Sequence, residues 1–405
     1  MSLDIGGSLT KLVVRSPAGF GLQAAGERPD DDDFVARVLR RMPRHPGYRP
    51  ELELSDGAGG SLSFLQFETR WMADFVNILE GLKPPAALAG SGPAVVPATG
   101  GGAFKYAPMF RERLGVELEP ADEMHSLARG MRYFEAASDH RADEAEAGGV
   151  ELSLTGAEMF TYDLRGDRVV PWRDPAPGAD CLLVSIGSGV SVIRVGPLQE
   201  SGDVAVERVN GCSVGGATFW GLCRLLTSYR TFDEAVQAAE AGDNGKLAMT
   251  VSDIYGGEYA KLGLPGDIVA ADFGKIGTRR HPRAPAALQH AGGVVREPAV
   301  EEPDITRALL VMVLNNIAQV AHSSARQHGI DRIFFGGSFL RRGTMMRVLT
   351  SALKFWSANA TRAGFMLHEG YFGAMGSMLI AADAEAARRG SASSLPVPGS
   401  SEWDG

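Results

Sequence analysis

A chain of 405 residues, 44% hydrophobic and 22% charged, is long enough for two cores and too apolar for wholesale disorder. Its net charge of −9 argues against a broad nucleic-acid-binding surface, which needs a positive field against phosphate. Glycine is the outlier, with 51 residues against a usual share of about 7%. The glycines cluster without a fixed period, so they point to tight backbone loops and exclude collagen-like order.

The chain opens as strand, glycine turn and strand: Leu3-Asp4-Ile5, then Gly6-Gly7-Ser8, then Leu9 to Val14. Gly19 to Gly26 reads as a further strand. The acidic run Asp30 to Asp33 and the cations Arg37, Arg40, Arg41, Arg44 and Arg49 read as solvated surface. Leu62 to Phe67 alternates as a strand. Arg70 to Leu82 has Trp71, Phe75, Ile78 and Leu79 on one helical face. A short strand, Ala94 to Ala98, runs into Thr99-Gly100-Gly101-Gly102-Ala103. Met124, Leu127, Met131 and Phe134 fall at helical spacing, which puts Asp122 and Glu123 at a helix N-terminus. Ala136 to Gly149 is small, polar and charged, and reads as a loop. Cys181 to Ile186 is a nearly continuous apolar strand leading into Gly187-Ser188-Gly189 and a second strand, Val192 to Val195. A glycine cluster, Asn210 to Gly216, precedes a helix from Thr218 to Thr227. Gly277 to Glu302 is rich in Pro, Arg and His and reads as an exposed connection. Asp304 to His328 is a long helix with Asp304 as N-cap and Gly329 as its stop. Arg332 to Phe335 is a strand ending in Gly336-Gly337-Ser338. The Ser/Pro/Gly-rich tail is expected to be disordered.

Several classes of chemistry are disfavoured. Cys181, Cys212 and Cys223 lack zinc or redox spacing and suit a reducing compartment. The eight histidines form no HExxH. No apolar run reaches the roughly 18 residues that cross a bilayer. Met1-Ser2-Leu3-Asp4 lacks the basic and apolar regions of a signal peptide, so a cytoplasmic protein without a membrane partner is expected. Neither GxxxxGK[ST] nor GxGxxG opening a βαβ unit occurs, which argues against P-loop and Rossmann enzymes.

Three strand-to-glycine junctions remain: Asp4-Ile5-Gly6-Gly7-Ser8, Ile186-Gly187-Ser188-Gly189-Val190-Ser191, and Phe335-Gly336-Gly337-Ser338. Glycine lets backbone N–H groups approach phosphate oxygens closely. The first junction differs in carrying an acid, Asp4, and a cation, Lys11. An aspartate at a strand end can hold Mg²⁺ through water while a lysine meets phosphate.

Strand–turn–strand with Asp-x-Gly-Gly, a second such hairpin at mid-chain and a late Gly-Gly-Ser resemble the superfamily of acetate and sugar kinases, heat-shock chaperone ATPases and actin. That resemblance implies a duplicated α/β, RNase H-like, actin-like ATPase fold, with two lobes and a nucleotide cleft between them. The lobes are expected at 1–178 and 179–385, with a tail at 386–405. Within the superfamily the chain is similar to type II, eukaryotic-like pantothenate kinases. The likeness runs from about Leu3 to Met378. It rests on the first junction extended to Val13 and on Ala98-Thr99-Gly100-Gly101-Gly102-Ala103-Phe104-Lys105, Asp122-Glu123-Met124 and the mid-chain hairpin. It also rests on Gly215 to Cys223, Asp253 to Tyr259, Asn315-Asn316-Ile317, Gly337 to Arg341, and His368 to Ala374.

The resemblance implies ATP-dependent, Mg²⁺-assisted phosphorylation of the 4′-hydroxyl of pantothenate, the first committed step of coenzyme A synthesis. In it Glu123 matches the catalytic base, because a primary alcohol needs a positioned carboxylate to take its proton. By spacing alone Glu123 reads first as an acid favoured at a helix N-terminus. Arg208 matches the arginine that holds substrate and supports the transferring phosphoryl; without the motif it reads as a surface cation beside Glu207. Ser188, Val190 and Ser191 match the turn that contacts pantothenate, and as residues they fit a plain hairpin equally well. Gly6, Gly7, Ser8 and Lys11 match the first phosphate loop, with Asp4 on the metal side. Gly215 and Gly216 match a second nucleotide turn, and Gly337 and Arg341 the adenine side. Tyr255, Tyr259 and Ala270 match positions near the pantothenate or acyl-CoA tail. Ala352 and Trp356 match residues reaching across a homodimer, to which the helix from Asp304 would contribute; by spacing alone Trp356 reads as a core residue.

There are departures from the family pattern. Ser8 replaces a usual threonine and keeps the hydroxyl. His322 lies where tight acyl-CoA binders carry arginine, so the strength of feedback inhibition by acyl-CoA is open. Phe355 stands at a common tyrosine position. No regulatory extension is expected before Leu3-Asp4. Two alternatives remain beside the kinase: an N-acetylhexosamine kinase, which the Asp122-Glu123 helix start argues against, and an inactive homologue that binds acyl-CoA or a partner subunit. Loss of Asp4, Glu123 or Arg208 would mark the latter, and all three are present.

Overall fold

The computed structural model describes residues 1–16, 34–42, 47–48, 52–55, 60–82, 94–147, 159–172, 176–199, 202–278, 299–340 and 343–390. The expected strand at 19–26, the acidic run 30–33, Arg44, Arg49, most of the 277–302 connection, Arg341 and the tail beyond 390 lie outside them.

The first repeat is one sheet. Strand β1 (Ser2–Ile5) pairs antiparallel with β2 (Leu9–Ser16), and β2 with β3 (Ser61–Glu68). On its other side β1 runs parallel to β4 (Ala94–Thr99), and β4 parallel to β5 (Val116–Pro120). A ribbon of β6 (Met159–Asp163) and β7 (Arg168–Pro171) follows. The second repeat then rebuilds the same order. Here β8 (Cys181–Ile186) pairs antiparallel with β9 (Val190–Leu198) and β9 with β10 (Val204–Cys212), while β8 runs parallel to β11 (Arg332–Gly336) and β11 to β12 (Arg362–Met366). Orders 3-2-1-4-5 and 10-9-8-11-12 superimpose element by element, which is the duplicated RNase H-like, actin-like ATPase architecture. The ribbon β6–β7 precedes residue 179 yet extends the second sheet, through β6 against β12. Central strands flanked on both faces read as unbroken apolar runs. Leu182, Leu183, Val184 and Ile186 accordingly have no exposed surface.

Helices α1 (Phe34–Arg41), α2 (Met72–Leu82) and α3 (Gly101–Leu114) belong to the first repeat. Helix α4 (Glu123–Ala147) runs well past Phe134, so the loop expected at 136–149 is helical through Ala147; a polar run carries no apolar stripe to announce a helix. The second repeat holds α5 (Gly216–Leu226), α6 (Phe232–Ala241), α7 (Glu302–His328), α8 (Gly343–Trp356) and α9 (Phe372–Arg389). Asp304 is not the N-cap of α7. Glu301 is, and the buried Asp304 carboxylate accepts the Glu301 N–H at 2.9 Å and the Lys246 ammonium at 2.9 Å. Helix α7 has the length and apolar composition of a membrane span, but Leu309, Leu310, Val313, Leu314 and Ile317 pack it into the second-lobe core. Residues 386–389, expected in the tail, are the last turn of α9, which Gly390 ends with a left-handed cap at φ 67°.

Each lobe has its own apolar core, and a third cluster joins them. In it Phe64 of the first sheet, Leu183, Ile193 and Phe334 of the second, Met131 and Phe134 of α4, and Phe372 and Met375 of α9 pack together. Helices α4 and α9 therefore lie between the sheets. Helix α4 is held there by buried charge. Arg132 pairs with Glu135, Glu135 accepts Arg332 of β11 at 2.8 Å, and Arg132 donates to the Gly196 carbonyl at 3.0 Å. Removing one member of such a buried set strands the others, at about 3–5 kcal/mol. The helix that begins with Glu123 is thus anchored to the second sheet.

Candidate active site

The end of the first sheet brings three segments into a row. Asp4 of β1 lies opposite Thr99 of the parallel strand β4. The Thr99 hydroxyl donates to the Ala121 carbonyl at 3.0 Å, and the Ala121 N–H donates to Ala98 at 2.8 Å. The chain leaving β5 is thereby tied to β4 just before α4 begins. Asp122 caps that helix, its carboxylate accepting the His125 N–H at 2.8 Å. Capping thus falls to Asp122, and Glu123 is left with a side chain that the helix end does not need. Glu123 is exposed as a residue, yet its carboxyl is crowded. Burial first, then the charge of Asp4, pushes it above the ordinary carboxylate range, while Lys11 pulls the other way. Glu123, Asp4 and Lys11 therefore share one electrostatic site.

Lys11 lies across the hairpin from Asp4, with its ammonium 3.2 Å from Asp4 Oδ2. The turn between them, Gly6-Gly7-Ser8, is pinned from α2's approach. The Gly6 N–H donates to Leu9, the Thr69 N–H to Ser8 at 2.9 Å, and the Thr69 hydroxyl to the Gly6 carbonyl at 2.8 Å. Gly7 and Ser8 stay exposed, leaving their backbone open to a ligand. Thr69 was invisible as a site residue in the sequence, since its partners lie about 60 positions away.

In the second lobe the glycine turns stack. The Gly216 and Ala217 N–H groups donate to the Gly187 and Ser188 carbonyls at 2.9 and 3.1 Å, so the start of α5 rests on the turn after β8. A β-carbon at Gly215 would come within 2.8 Å of Gly189, which only glycine avoids. Gly337 sits at φ 104°, in space that L side chains rarely adopt. Its loop joins the same group, with the Phe339 N–H donating to Ile186 and Phe339 packed against Gly216. The structure thus assembles Ser188, Gly215, Gly216 and Gly337 at one end of the second sheet.

Arg208, on β10, directs Nε to the Ser191 hydroxyl at 3.5 Å. It is exposed and has no carboxylate partner among the described residues. Val190 is buried at the strand start, and Ser188 is exposed on the turn. His125 of α4 lies 3.2 Å from Asp203, just before β10, so the N-terminal turn of α4 meets the strand that carries Arg208.

Other expected positions fall elsewhere. Tyr255 and Tyr259 stack on each other at 4.5 Å in the small region around the two-stranded ribbon Met249–Thr250 and Val269–Ala271, whose Ala270 is exposed. Among the described residues, no hydrogen bond, ion pair or ring contact joins either tyrosine to Glu123 or Arg208. Ala352 is packed in its own chain's second-lobe core at 7% exposure. Trp356, one turn on, is 42% exposed, which replaces the core reading that spacing suggests. Among the described residues no group of three His, Cys, Asp or Glu side chains forms a cation cage. Asp4, 13% exposed at its side chain, suits the sparser single-carboxylate, water-rich holding that Mg²⁺ accepts.

A family model described as Fumble matches residues 1–380. Pantothenate kinase 2 of Oryza sativa subsp. japonica is 35% identical over 94% of this chain and 38% of its own length. Pantothenate kinase 1 of Arabidopsis thaliana is 36% identical over 93% of this chain and 84% of its own length. A Mus musculus protein named 4′-phosphopantetheine phosphatase is 32% identical over 94% of this chain and 41% of its own length. The chain therefore spans well under half the length of the first relatives it matches.

Proposed function

The chain belongs to the Fumble family, and from that membership and the paired carboxylates of its first lobe we propose that it is a pantothenate kinase. The observation that carries this reading is the placement of Glu123 at the start of α4 in the field of Asp4, where burial first and the Asp4 charge second raise its carboxyl toward the range of a working base against the opposing pull of Lys11. The exposed Gly7 and Ser8 backbone and the Lys11 ammonium receive nucleotide phosphate. The Gly215–Gly216 turn and the Gly337 loop receive the nucleoside side of ATP. Asp4 holds Mg²⁺ through water, and when bound the ion neutralises charge on the phosphates. Pantothenate lies against Ser188, Val190 and Ser191, with Arg208 reaching the phosphoryl group in flight. Glu123 takes the 4′-hydroxyl proton as the new P–O bond forms, giving 4′-phosphopantothenate and ADP.

The same reading includes a homodimer in the cytoplasm, with Trp356 toward the partner, and acyl-CoA as a product-side inhibitor whose tail lies near Tyr255, Tyr259 and Ala270. The second reading is an inactive homologue that binds acyl-CoA or a partner subunit, against which stand Asp4, Glu123 and Arg208. ADP release by purified protein, followed across pantothenate, N-acetylglucosamine and no acceptor, separates the readings. Pantothenate-dependent release alone is the expected result. Release with N-acetylglucosamine, or none above the no-acceptor rate, overturns it.

A further inference from the structure

The first turn of α9 comes from His368-Glu369-Gly370-Tyr371-Phe372-Gly373-Ala374, a segment to which the proposed chemistry gives no task. The fold puts it against the Asp4 carboxylate. A β-carbon at Gly373 would stand 3.0 Å from both Asp4 Cγ and Oδ2 and 3.2 Å from Thr99 Cγ2. Gly373 lies in helical backbone without a positive φ, so conformation does not demand glycine there. Space beside Asp4 does.

Helix α9 is tied down beside that space, the Ser2 hydroxyl of β1 donating to the Ala374 carbonyl at 2.6 Å. One turn on, a β-carbon at Gly376 would overlap the Ser126 carbonyl of α4, and one at Gly130 of α4 would overlap the Phe372 carbonyl. The two helices cross at backbone contact, and α4 is pinned in turn by the buried Arg132–Glu135–Arg332 set. The Arg129 guanidinium adds a 2.6 Å contact to Asp383 of α9. At its other oxygen the Asp4 carboxylate faces a second glycine, Gly100, whose missing β-carbon would lie 3.1 Å from Oδ1. Anything added at Gly373 therefore presses first on the Asp4 side chain, at 3.0 Å, and then on the Thr99 methyl, at 3.2 Å.

We propose that Gly373 is a positioning residue for the metal-side carboxylate: its missing side chain, on a helix tied down beside it, fixes the orientation Asp4 needs to hold water-bound Mg²⁺. This rests on the assignment of Asp4 to the metal. The test is Gly373→Ala on the full chain, with Mn²⁺ binding in the presence of ATP followed by EPR, beside the melting temperature and ADP release. Gly370→Ala, three residues earlier where a β-carbon meets nothing within 4 Å, is the control. Expected is a folded Gly373→Ala protein whose Mn²⁺ affinity falls roughly 10-fold, as for other groups that orient a metal ligand. The Mg²⁺ needed for half-maximal rate should rise by a similar factor, with KM for pantothenate unchanged at saturating Mg²⁺ and Gly370→Ala equal to wild type. Should Gly373→Ala melt early, Gly373→Ala/Thr99→Ser decides. Serine keeps the hydroxyl bond to Ala121 and removes the methyl at 3.2 Å, so the metal defect must persist in a restored fold. Wild-type Mn²⁺ affinity in either folded variant overturns the proposal. Failure of the unaltered protein to bind Mn²⁺ with ATP would instead sink the Asp4 assignment itself.

Discussion

The two hairpins at the heart of the lobes share a backbone and differ in charge. In the first, Ile5 pairs with Thr10 across the turn and the next pair is Asp4 with Lys11. In the second, Ile186 pairs with Val190 and the next pair is Ser185 with Ser191. An ion pair in one repeat is therefore a pair of hydroxyls in the other. A duplicated fold supplies two equivalent strand ends, and the side chains have divided the work. The charged end suits a metal–phosphate group. The neutral end, with Arg208 brought in from the next strand, suits an uncharged hydroxyl and the phosphoryl that moves toward it. Alterations on the ionic side or at the transferring group should cost much more than alterations of the serine pair.

The largest effect is expected at Glu123, the proposed base. Glu123→Gln removes the base without changing shape, so turnover should fall by roughly 10²–10⁴. The melting temperature and ATP affinity should hold, because Asp122, not Glu123, caps α4. Near-normal ADP release from this variant would remove Glu123 from the chemistry. Arg208→Ala comes next. Losing one preorganised donor to a developing charge costs about 10²–10³ in kcat, and Arg208→Lys should recover only part, since an ammonium lacks the fork. If Arg208→Ala instead raises KM for pantothenate alone, the arginine binds substrate and does not follow the phosphoryl.

Much of this division was legible in the chain. Asp4, Lys11 and the glycine turns announce themselves because local backbone chemistry fixes them: a strand, a turn, a strand. The start of α4 was legible from Met124, Leu127 and Met131 at helical spacing. What joins the lobes was not. Arg132 and Glu135 read as charges on a helix until Arg332, 197 positions on, is brought to Glu135 by a parallel strand. Gly130 and Gly376 are unremarkable letters until two helices cross on them. The exposure of Trp356 reversed the reading from spacing, since helical periodicity says which residues share a face and not which face is covered.

A smaller effect tests the neutral hairpin. Ser191→Ala removes a hydroxyl whose hydrogen bond to Arg208 is long, at 3.5 Å. The donor is a charged guanidinium, but at this length the bond is worth no more than an ordinary one, about 1 kcal/mol, so kcat/KM for pantothenate should fall only several-fold, with Mg²⁺ dependence unchanged. A loss as deep as that of Arg208→Ala would show that the serine side carries more of the transition state than its charge implies.

The last effect is a displacement in pH rather than a loss of rate. The proposed base, Glu123, can take a proton only when it is itself deprotonated, and its carboxyl is raised chiefly by burial and secondly by the charge of Asp4. Activity should therefore fail on acidification at a higher pH than an ordinary glutamate would dictate. Asp4→Asn removes the second cause and frees Lys11, whose charge favours the carboxylate. Both changes lower the titration point, so the acid limb of the kcat profile, measured at saturating Mg²⁺, should move toward lower pH. Burial persists, which keeps the limb above that of a free side chain. Ser185→Ala, the equivalent position in the second hairpin, carries no charge and should leave the limb where it was. An acid limb that stays in place or moves upward in Asp4→Asn would mean that Asp4 and the base do not share a field, and the two strand ends would then be less different than their side chains suggest.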